Sequence, residues 1–251
     1  LRNSHGDYFK HIVMSSWNNP SYLESNNLKI SKSGSYMQEG IIDMLDLKIL
    51  KGSRDGLKDI NSIMLSASTS KALYGSADPI GEIIKLNSDH DVQVTGVYED
   101  IPKNNTFHDL NFIATWDLFA SAEWIKLSAD QWGNSSFQMF VQIADNTTVD
   151  QVNEVIKFSK KDNVPEDQKI YDPKVFLLPM QDWYLRSNFE NGVQTGGRIE
   201  YVWLFGVVGG FVLLLACIKF MNLSTARSEK RAKEVGIRKS IGSSKLQLVS
   251  Q

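Results

Sequence analysis

The strongest pattern in the sequence is an unbroken apolar run near its carboxyl end. Residues 201–218 carry no charge, and residues 219–223 continue the run with Lys219 as the one charged side chain. As a helix rising about 1.5 Å per residue, these 23 residues span about 34 Å, enough to cross a hydrocarbon core about 30 Å thick. Tyr201 and Trp203 stand at the opposite end, where interfacial aromatic residues are typical. The pattern predicts a transmembrane helix in preference to the buried core helix of a soluble protein.

Before this run, apolar positions alternate or cluster in short segments, which is typical of mixed α and β structure. Strands are predicted at residues 62–65, 83–86, 92–98, 138–144 and 174–178. Loops are predicted at residues 51–61, 76–79, 101–106 and 161–173. Residues 41–50 fit either a helix or a strand, and residues 192–197 are predicted to form a glycine-rich hinge before the apolar run.

Two helices are predicted in the same part of the chain. Residues 69–74 form a short helix that Gly75 closes. Residues 149–160 carry apolar side chains at helical spacing, and Thr148 with Gln151 fits a capping box at the start of that helix.

Charge is divided unevenly along the chain. Residues 1–223 carry 20 basic and 27 acidic side chains, a net charge of −7, whereas residues 224–251 carry seven basic and two acidic ones, a net charge of +5. Because basic segments beside membrane helices stay in the cytoplasm, the second segment is predicted to be cytoplasmic. The larger part then lies on the other side, the periplasm of a double-membrane bacterium. Since the chain begins at Leu1 rather than methionine and ends within a predicted helix, we expect a fragment of a longer protein.

The basic segment also has features of a short, bounded helix. Glu229 with Lys233, and Glu234 with Arg238, have the i,i+4 spacing of helical ion pairs, each of which contributes a few tenths of a kcal/mol. Gly242 can end a helix, and Ser244 with Gln247 fits a second capping box. One helix is therefore predicted to stop near Gly242 and another to begin at Ser244.

We interpret this short helix as a docking element for a soluble partner. Its apolar side chains would supply buried contact, and its basic side chains would supply orientation. The predicted docking residues are Glu234, Val235, Gly236, Ile237, Arg238, Lys239, Ile241 and Gly242. The alternative is a polybasic anchor for anionic lipid, in which each charge contributes about 1 kcal/mol. Lipid headgroup contact is predicted for Lys219, Arg227, Lys230 and Arg231.

Patterns that carry catalysis or cofactor binding are missing from the sequence. Cys217 is the single cysteine, the four histidines form no metal-binding motif, and no P-loop is present. The neighbouring carboxylates fit a solvated face better than an acid–base couple; they are Asp43 with Asp46, and Glu99 with Asp100. We expect no catalytic residue, no metal and no cofactor. Four tryptophans could line a ligand groove, although a core role is favoured; they are Trp116, Trp124, Trp132 and Trp183.

Several segments together resemble one family of membrane proteins. Residues 217–251 look like the second transmembrane helix and the following cytoplasmic segment of MacB/FtsX-type ABC transporter permeases. Upstream, three motifs resemble the periplasmic core domain of that family, in a form similar to permeases of Bacteroidetes-like bacteria. They are Tyr74-Gly75, Asp78-Pro-Ile-Gly81 and Val94-Thr-Gly-Val97. The family usually has asparagine where this chain has Lys219.

The resemblance implies a fold and a domain order. It implies an α+β periplasmic domain, with a porter-like part and an inserted Sabre-like lobe, followed by a transmembrane α-helix and a short cytoplasmic helical segment. The periplasmic core domain would cover residues 1–198, with the inserted lobe at about residues 35–115. The transmembrane helix would cover residues 199–223, and residues 224–251 would begin the FtsX-like domain with its coupling helix.

The resemblance also implies a function in the bacterial inner membrane. Such permeases have no catalytic activity of their own and couple cytoplasmic ATP hydrolysis to motion of the periplasmic domain, for export or efflux of lipoprotein, peptide or drug-like substrates. The implied partners are an ATP-binding subunit, membrane lipid, a second permease half or subunit and a periplasmic adaptor, but no nucleic acid. A membrane-anchored periplasmic sensory receptor has the same topology and is the alternative.

Overall fold

The chain folds into two compact units. The computed structural model describes residues 2–128 and 131–242. The first unit ends at Leu178, and the second begins at Pro179.

The first unit is a mixed sheet with short helices. Its strands are β1 (Phe9–Ser15), β2 (Asn19–Ser25), β3 (Leu28–Met37), β4 (Ile49–Gly52), β5 (Ser62–Ser66), β6 (Ile83–Leu86), β7 (His90–Tyr98), β8 (Phe112–Thr115) and β9 (Gln138–Ile143). Its helices are α1 (Arg2–His5), α2 (Ile41–Met44), α3 (Ala67–Tyr74), α4 (Trp116–Ala120), α5 (Glu123–Lys126), α6 (Val149–Ile156), α7 (Ser159–Asn163) and α8 (Glu166–Lys169). A 3-10 turn covers Gly6–Tyr8.

Six of the strands close into a ring. Their order is β2-β6-β7-β5-β8-β3, and β3 pairs again with β2. The β3–β8 and β5–β7 pairs are parallel, whereas the other pairs in the ring are antiparallel. Outside the ring, β4 pairs with β7, and β1 connects β3 to β9. Closure removes the open edges that a sheet of six strands would otherwise present.

The main hydrophobic core belongs to this ring. Leu23 pairs with Ile30 on one neighbouring strand and with Leu86 on the other, so one face of β2 meets both. The buried core side chains come from the ring and from α3 and α4; they are Leu23, Ile63, Leu65, Leu73, Ile84, Leu86, Val92, Val94, Phe112, Ala114 and Leu118. Gly34 has no side chain because the ring of Phe112 occupies the position that a Cβ atom would take.

A buried tyrosine fixes one end of β7. The Tyr98 hydroxyl donates a hydrogen bond of 2.8 Å to the carbonyl of Leu110. Burial raises the pKa of Tyr98 well above its ordinary value, so the phenol stays neutral and remains a donor. The turn that precedes β8 is thereby attached to the sheet.

A second, smaller core lies outside the ring. Phe9 of β1 packs with Val152 and Ile156 of α6, and residues of the segment after α8 complete it. The pairing of β1 with β9 shifts register between Phe9 and His11, which is a β-bulge. Thr148 and Gln151 form the predicted capping box, with hydrogen bonds of 2.9 and 3.3 Å.

The prediction of strands and helices was correct in part. Strands at residues 62–65, 83–86, 92–98 and 138–144 correspond to β5, β6, β7 and β9, and the ambiguous residues 41–50 contain both α2 and the start of β4. The loop predicted at residues 51–61 instead begins inside β4, and the helix predicted at 149–160 ends at Ile156. The loop predicted at 161–173 contains α8 and most of α7.

The strand predicted at residues 174–178 is wrong. The segment is not part of a strand, and its backbone bonds go to α6 and the residue that ends it. The Val175 N–H donates to the Lys157 carbonyl at 3.0 Å, and the Leu177 N–H donates to Asn153 Oδ1 at 2.7 Å. Alternation correctly indicated a half-buried segment, but packing against a helix produces the same pattern as a sheet.

The second unit contains a hairpin and one long helix. A 3-10 turn (Met180–Asp182) precedes β10 (Asn188–Glu190) and β11 (Val193–Gly196), and α9 covers Ile199–Ser240. The predicted glycine-rich hinge is thus the turn and second strand of a hairpin. Gly197 has a φ of 143°, and an added Cβ atom would lie 2.7 Å from the Leu185 carbonyl oxygen, so only glycine fits there.

The expected inserted lobe, residues 35–115, includes β4 to β8. Of these, β5 to β8 share the closed ring with β2 and β3, most of whose residues precede the lobe, and β4 pairs with β7 outside the ring. The exact limits of the lobe stay a prediction.

Candidate docking and membrane-contact surface

All of the predicted site residues except Ile241 and Gly242 lie on one continuous helix. α9 has 42 residues, which corresponds to a length of about 63 Å. The prediction of a separate short helix after residue 223 was therefore wrong, whereas the end of the membrane-spanning part at residue 223 stays a prediction. Residues 224–240 contain Ala, Arg, Lys and Glu, which favour helix, and Gly236 alone costs only about 1 kcal/mol. The helix ends where predicted, since Ile241 caps it and Gly242 has a φ of 97°.

The first half of α9 has the composition of a membrane span. Its most apolar stretch of 18 residues has a mean hydropathy of 2.4, and none of that stretch is buried within the structure. By length and composition, α9 is the one helix in the described part of the chain that could cross a membrane. A core helix of a soluble protein would be mostly buried, which this helix is not.

The predicted lipid-contact residues share one face of α9. At about 100° of rotation per residue, Lys219, Arg227, Lys230 and Arg231 fall within a sector of about 120°. All four are exposed. Lys219 lies at the end of the apolar half, and Arg231 lies about 18 Å further along the axis.

The predicted docking residues occupy the last turns of the same helix. Glu234, Val235, Gly236, Ile237, Arg238 and Lys239 belong to α9, whereas Ile241 and Gly242 follow its end. Ile237 and Ile241 are 60% and 79% exposed and stand four residues apart, so they lie on one face. Val235, 44% exposed, lies about 160° away from Ile237 around the axis. Two of the three predicted apolar contacts, Ile237 and Ile241, thus share a face, and the third, Val235, does not.

Three further features were predicted for the basic segment: an ion pair, an open glycine surface and a second capping box. Glu229 and Lys233 form no ion pair within the described residues, contrary to the prediction. A Cβ atom added at Gly236 would contact nothing within 4 Å, so its surface is open to a neighbour. The second capping box, Ser244 with Gln247, lies outside the described residues.

The neighbouring carboxylates in the first unit have structural partners. Asp43 and Asp46 lie 2.9 and 3.8 Å from Nη2 of Arg54, and Glu99 lies 3.2 Å from Nζ of Lys48. Asp100 accepts a 3.0 Å hydrogen bond from the backbone N–H of Ser68 in the first turn of α3, where a negative charge is favourable. The arrangement gives these groups a role in positioning loops and α3.

The four tryptophans do not form one groove. Trp116 and Trp124 both pack against Phe119 and Phe137, with ring centroids 5.4 to 5.9 Å apart, and Tyr36 stacks on Phe119. Trp132 lines a separate cleft near α7 and α8 that was not predicted from the sequence. Trp183 belongs to the second unit.

The motifs that carried the family resemblance occupy positions with special backbone demands. Gly75 ends α3 with a φ of 61°. Gly81 has a φ of 87°, and its N–H donates to the Val94 carbonyl at 2.8 Å. Gly96 packs against Met64, whose Cε atom occupies the space of a Cβ atom. A sequence profile of the MacB-like periplasmic core domain matches residues 7–157. The chain belongs to this family.

Individual relatives of this MacB-like chain agree with the assignment. It is 24% identical over 235 residues to the uncharacterized ABC transporter permease YknZ of Bacillus subtilis (strain 168), a match that covers 93% of this chain and 50% of the relative. The chain therefore spans about half the length of the curated relative that it matches. Its fold resembles that of a domain from Porphyromonas gingivalis described as belonging to a permease protein, with a TM-score of 0.54 and 17% identity, over 65% of this chain and 74% of that one.

A further match is the periplasmic region of MacB from Actinobacillus actinomycetemcomitans, with a TM-score of 0.48 and 17% identity over 72% of this chain and 76% of that one. Family membership, the periplasmic core domain and the apolar helix fit an inner-membrane protein with a periplasmic segment.

Proposed function

We propose that this chain is part of a permease subunit that transmits the work of cytoplasmic ATP hydrolysis to its periplasmic core domain. The observation that carries the proposal is the continuity of α9. The same helix contains the apolar stretch and, without an intervening loop, the residues predicted to meet the ATP-binding subunit.

An unbroken helix is suited to this task because its backbone hydrogen bonds make it stiff along its axis. About 30 Å of the 63 Å length suffices to cross the hydrocarbon core, so the remainder extends past the membrane. A displacement of the last turns would then be passed to the membrane-spanning part rather than absorbed by a flexible joint.

The docking face is defined by Ile237 and Ile241. Burying one isoleucine side chain contributes about 1.5–3 kcal/mol, so two on one face could anchor a modest interface. Arg238 and Lys239 add positive charge beside them, which would orient an acidic partner surface. Membrane lipid remains the proposed contact of the basic face nearer the apolar half.

A second permease half is proposed to pack against α9 within the membrane. Gly206 and Gly210 are four residues apart, and a Cβ atom added to either would contact nothing within 4 Å. Small residues at this spacing allow two membrane helices to approach closely.

The proposed substrates (lipoprotein, peptide or drug-like molecules) and the periplasmic adaptor rest on the family alone.

The membrane-anchored sensory receptor is the competing function. α9 continues through Gly236 without a break, so this glycine gives no argument against a signalling helix. A signalling coiled coil, however, needs apolar residues at alternating steps of three and four. Counting four, three and four residues onward from Leu223 reaches Arg227, Lys230 and Glu234, all charged. This sequence favours the permease.

The two faces of the last turns allow a matched test of docking. In the intact permease, Ile237→Asp should sharply reduce co-purification of the ATP-binding subunit and the stimulation of its ATPase activity, because the carboxylate would be buried in the interface. Ala232→Asp introduces the same charge about 140° around the helix from Ile237, at an exposed residue outside the predicted docking set, and should leave both measurements nearly unchanged. Equal binding and ATPase activity in wild type and Ile237→Asp would contradict docking through this face.

A further inference from the structure

A polar cleft in the first unit has the chemistry of a ligand site. It lies between the turn at residues 131–134 and the helices α7 and α8, and it has a volume of about 680 Å³. Six lining side chains carry the argument: Trp132, Gln131, Asn134, Asp162, Asn163 and Gln168. A volume of this size lies within the range of small-molecule sites.

In three of the amide side chains, only one of the two polar atoms forms a hydrogen bond within the described residues. The bonds are Gln131 Nε2 to the Leu127 carbonyl at 3.1 Å, Asn163 Nδ2 to the Ser159 carbonyl at 2.8 Å, and the Ser136 N–H to Asn134 Oδ1 at 2.9 Å. Gln131 Oε1, Asn134 Nδ2 and Asn163 Oδ1 have no partner within the described residues. Two acceptors and one donor are therefore available on side chains that one hydrogen bond each restrains, which lowers the entropic cost of binding.

The rest of the lining excludes some ligand classes. Trp132 is 39% exposed and contributes both a flat apolar face and an indole N–H donor. Asp162 is the one carboxylate, and no lysine or arginine is among the described lining residues. A phosphate or another strong anion would meet a like charge without a cation to offset it.

We propose that this cleft binds a neutral saccharide. The indole of Trp132 would lie against the C–H face of a sugar ring, while the amides and Asp162 would exchange hydrogen bonds with its hydroxyl groups, which both donate and accept. A peptide main chain fits less well, because extended peptides are usually bound along a free strand edge. The walls here are a turn and two short helices. The proposal does not depend on the coupling role of α9.

Fluorine NMR can test the proposal on the whole chain. The protein labelled with 5-fluorotryptophan should give one resonance for each of its six tryptophans, assigned by Trp→Phe variants. It should be placed in lipid nanodiscs, because detergents with sugar headgroups would compete. The probes are cellotriose, maltotriose and the trimer of N-acetylglucosamine, with an uncharged tripeptide as the fourth arm. We expect one of the sugars to shift the Trp132 resonance saturably and to leave the other five in place.

Two variants locate the interaction. Trp132→Ala removes the stacking face and should weaken binding by about tenfold, or about 1.4 kcal/mol, followed through the amide resonances of the cleft. Trp124→Ala removes an exposed tryptophan of the separate aromatic cluster and should bind like wild type. The proposal is overturned if no sugar gives a saturable shift, if both variants lose binding equally, or if the tripeptide alone shifts Trp132. Unchanged resonances of the remaining tryptophans show that each variant is folded, except that Trp116 is left out for Trp124→Ala because it packs against the same two rings, Phe119 and Phe137.

Discussion

At the scale of single residues, Asp172 holds together the segment after α8. Its carboxylate accepts from Lys161 at 2.7 Å and from Lys174 at 3.0 Å, and its backbone has a φ of 45°. The hydrogen bond from Lys161, followed by that from Lys174, lowers the pKa of Asp172 below its ordinary value. The preceding Ile170 and Tyr171 are each 81% exposed, so this charged clamp presents two apolar side chains to the periplasm.

Asp172→Asn should slightly destabilise the first unit at neutral pH. Asparagine tolerates a positive φ, so the change removes the charge and little else. Because the folded-state pKa is depressed, the stabilisation is present above the unfolded value of 3.8 and is lost as pH falls through the folded pKa. Urea unfolding followed by fluorescence should show a difference at pH 7 that disappears in strong acid.

Asp167→Asn is the control for this substitution. Asp167 is exposed and forms no ion pair within the described residues, so its replacement should not reproduce the pH-dependent difference. A pH-independent effect of Asp172→Asn, or equal effects of both changes, would contradict the clamp.

Gly34 is a second position where a single added atom, the Cβ of another residue, is expected to change the stability of the first unit. Gly34→Ala should destabilise the first unit by roughly 1–3 kcal/mol, because the new Cβ atom enters the space of the buried Phe112 ring. Gly6→Ala places a methyl group where nothing lies within 4 Å and should be nearly neutral. The midpoints of urea unfolding compare the two, and equal midpoints would show that Phe112 moves aside without cost.

At the scale of elements, the two roles proposed for α9, docking of a partner and transmission of its motion, depend on different turns of the helix. Docking requires the last turns to be folded, whereas transmission requires every turn between them and the membrane. The basic face spans about 18 Å of the axis, but each headgroup layer is only about 5–8 Å thick. A helix perpendicular to the membrane therefore carries Arg231 beyond the headgroups, and lipid contact by all four basic residues requires tilt.

Ser228→Pro tests transmission apart from docking. Proline removes one backbone hydrogen bond and kinks a helix at a cost of about 3 kcal/mol, here between the apolar stretch and the docking face. The variant should retain the ATP-binding subunit in pull-down but lose coupling of ATP hydrolysis to transport. Ser228→Ala keeps the helix straight and should behave like wild type. Full coupling in the proline variant would show that the helix does not transmit the motion.

At the scale of the whole molecule, the sequence predicted the class of fold and the membrane helix better than the sheet. β5, β6 and β7 have apolar side chains in the expected pattern, so they were found. β2 and β3 were missed because serine occupies buried positions on both, including Ser21, Ser25 and Ser35. Their connection, Asn26-Asn27, has positive φ at both residues, as a tight hairpin turn requires, and was the available signal.

The two proposed sites also differ in whether their residues lie close together in the sequence. The proposed docking residues are nearly contiguous, so they could be proposed from the sequence, and only their distribution around the helix needed a structure. The saccharide cleft combines a turn at residues 131–134 with side chains some 30 residues later, and no sequence spacing brings these together. Tertiary packing alone forms it.

The closed ring of six strands also limits how the first unit can fold while it is being delivered to the periplasm. β2 finds β6 only after Leu86 has emerged, and β3 finds β8 only after Thr115 has emerged. Until then, ordering of the strands lowers the conformational entropy of the chain, and the long-range contacts that would offset this loss have not yet formed. About a hundred residues must therefore emerge before the ring can close, and during that interval unpaired strand edges and exposed apolar side chains favour aggregation.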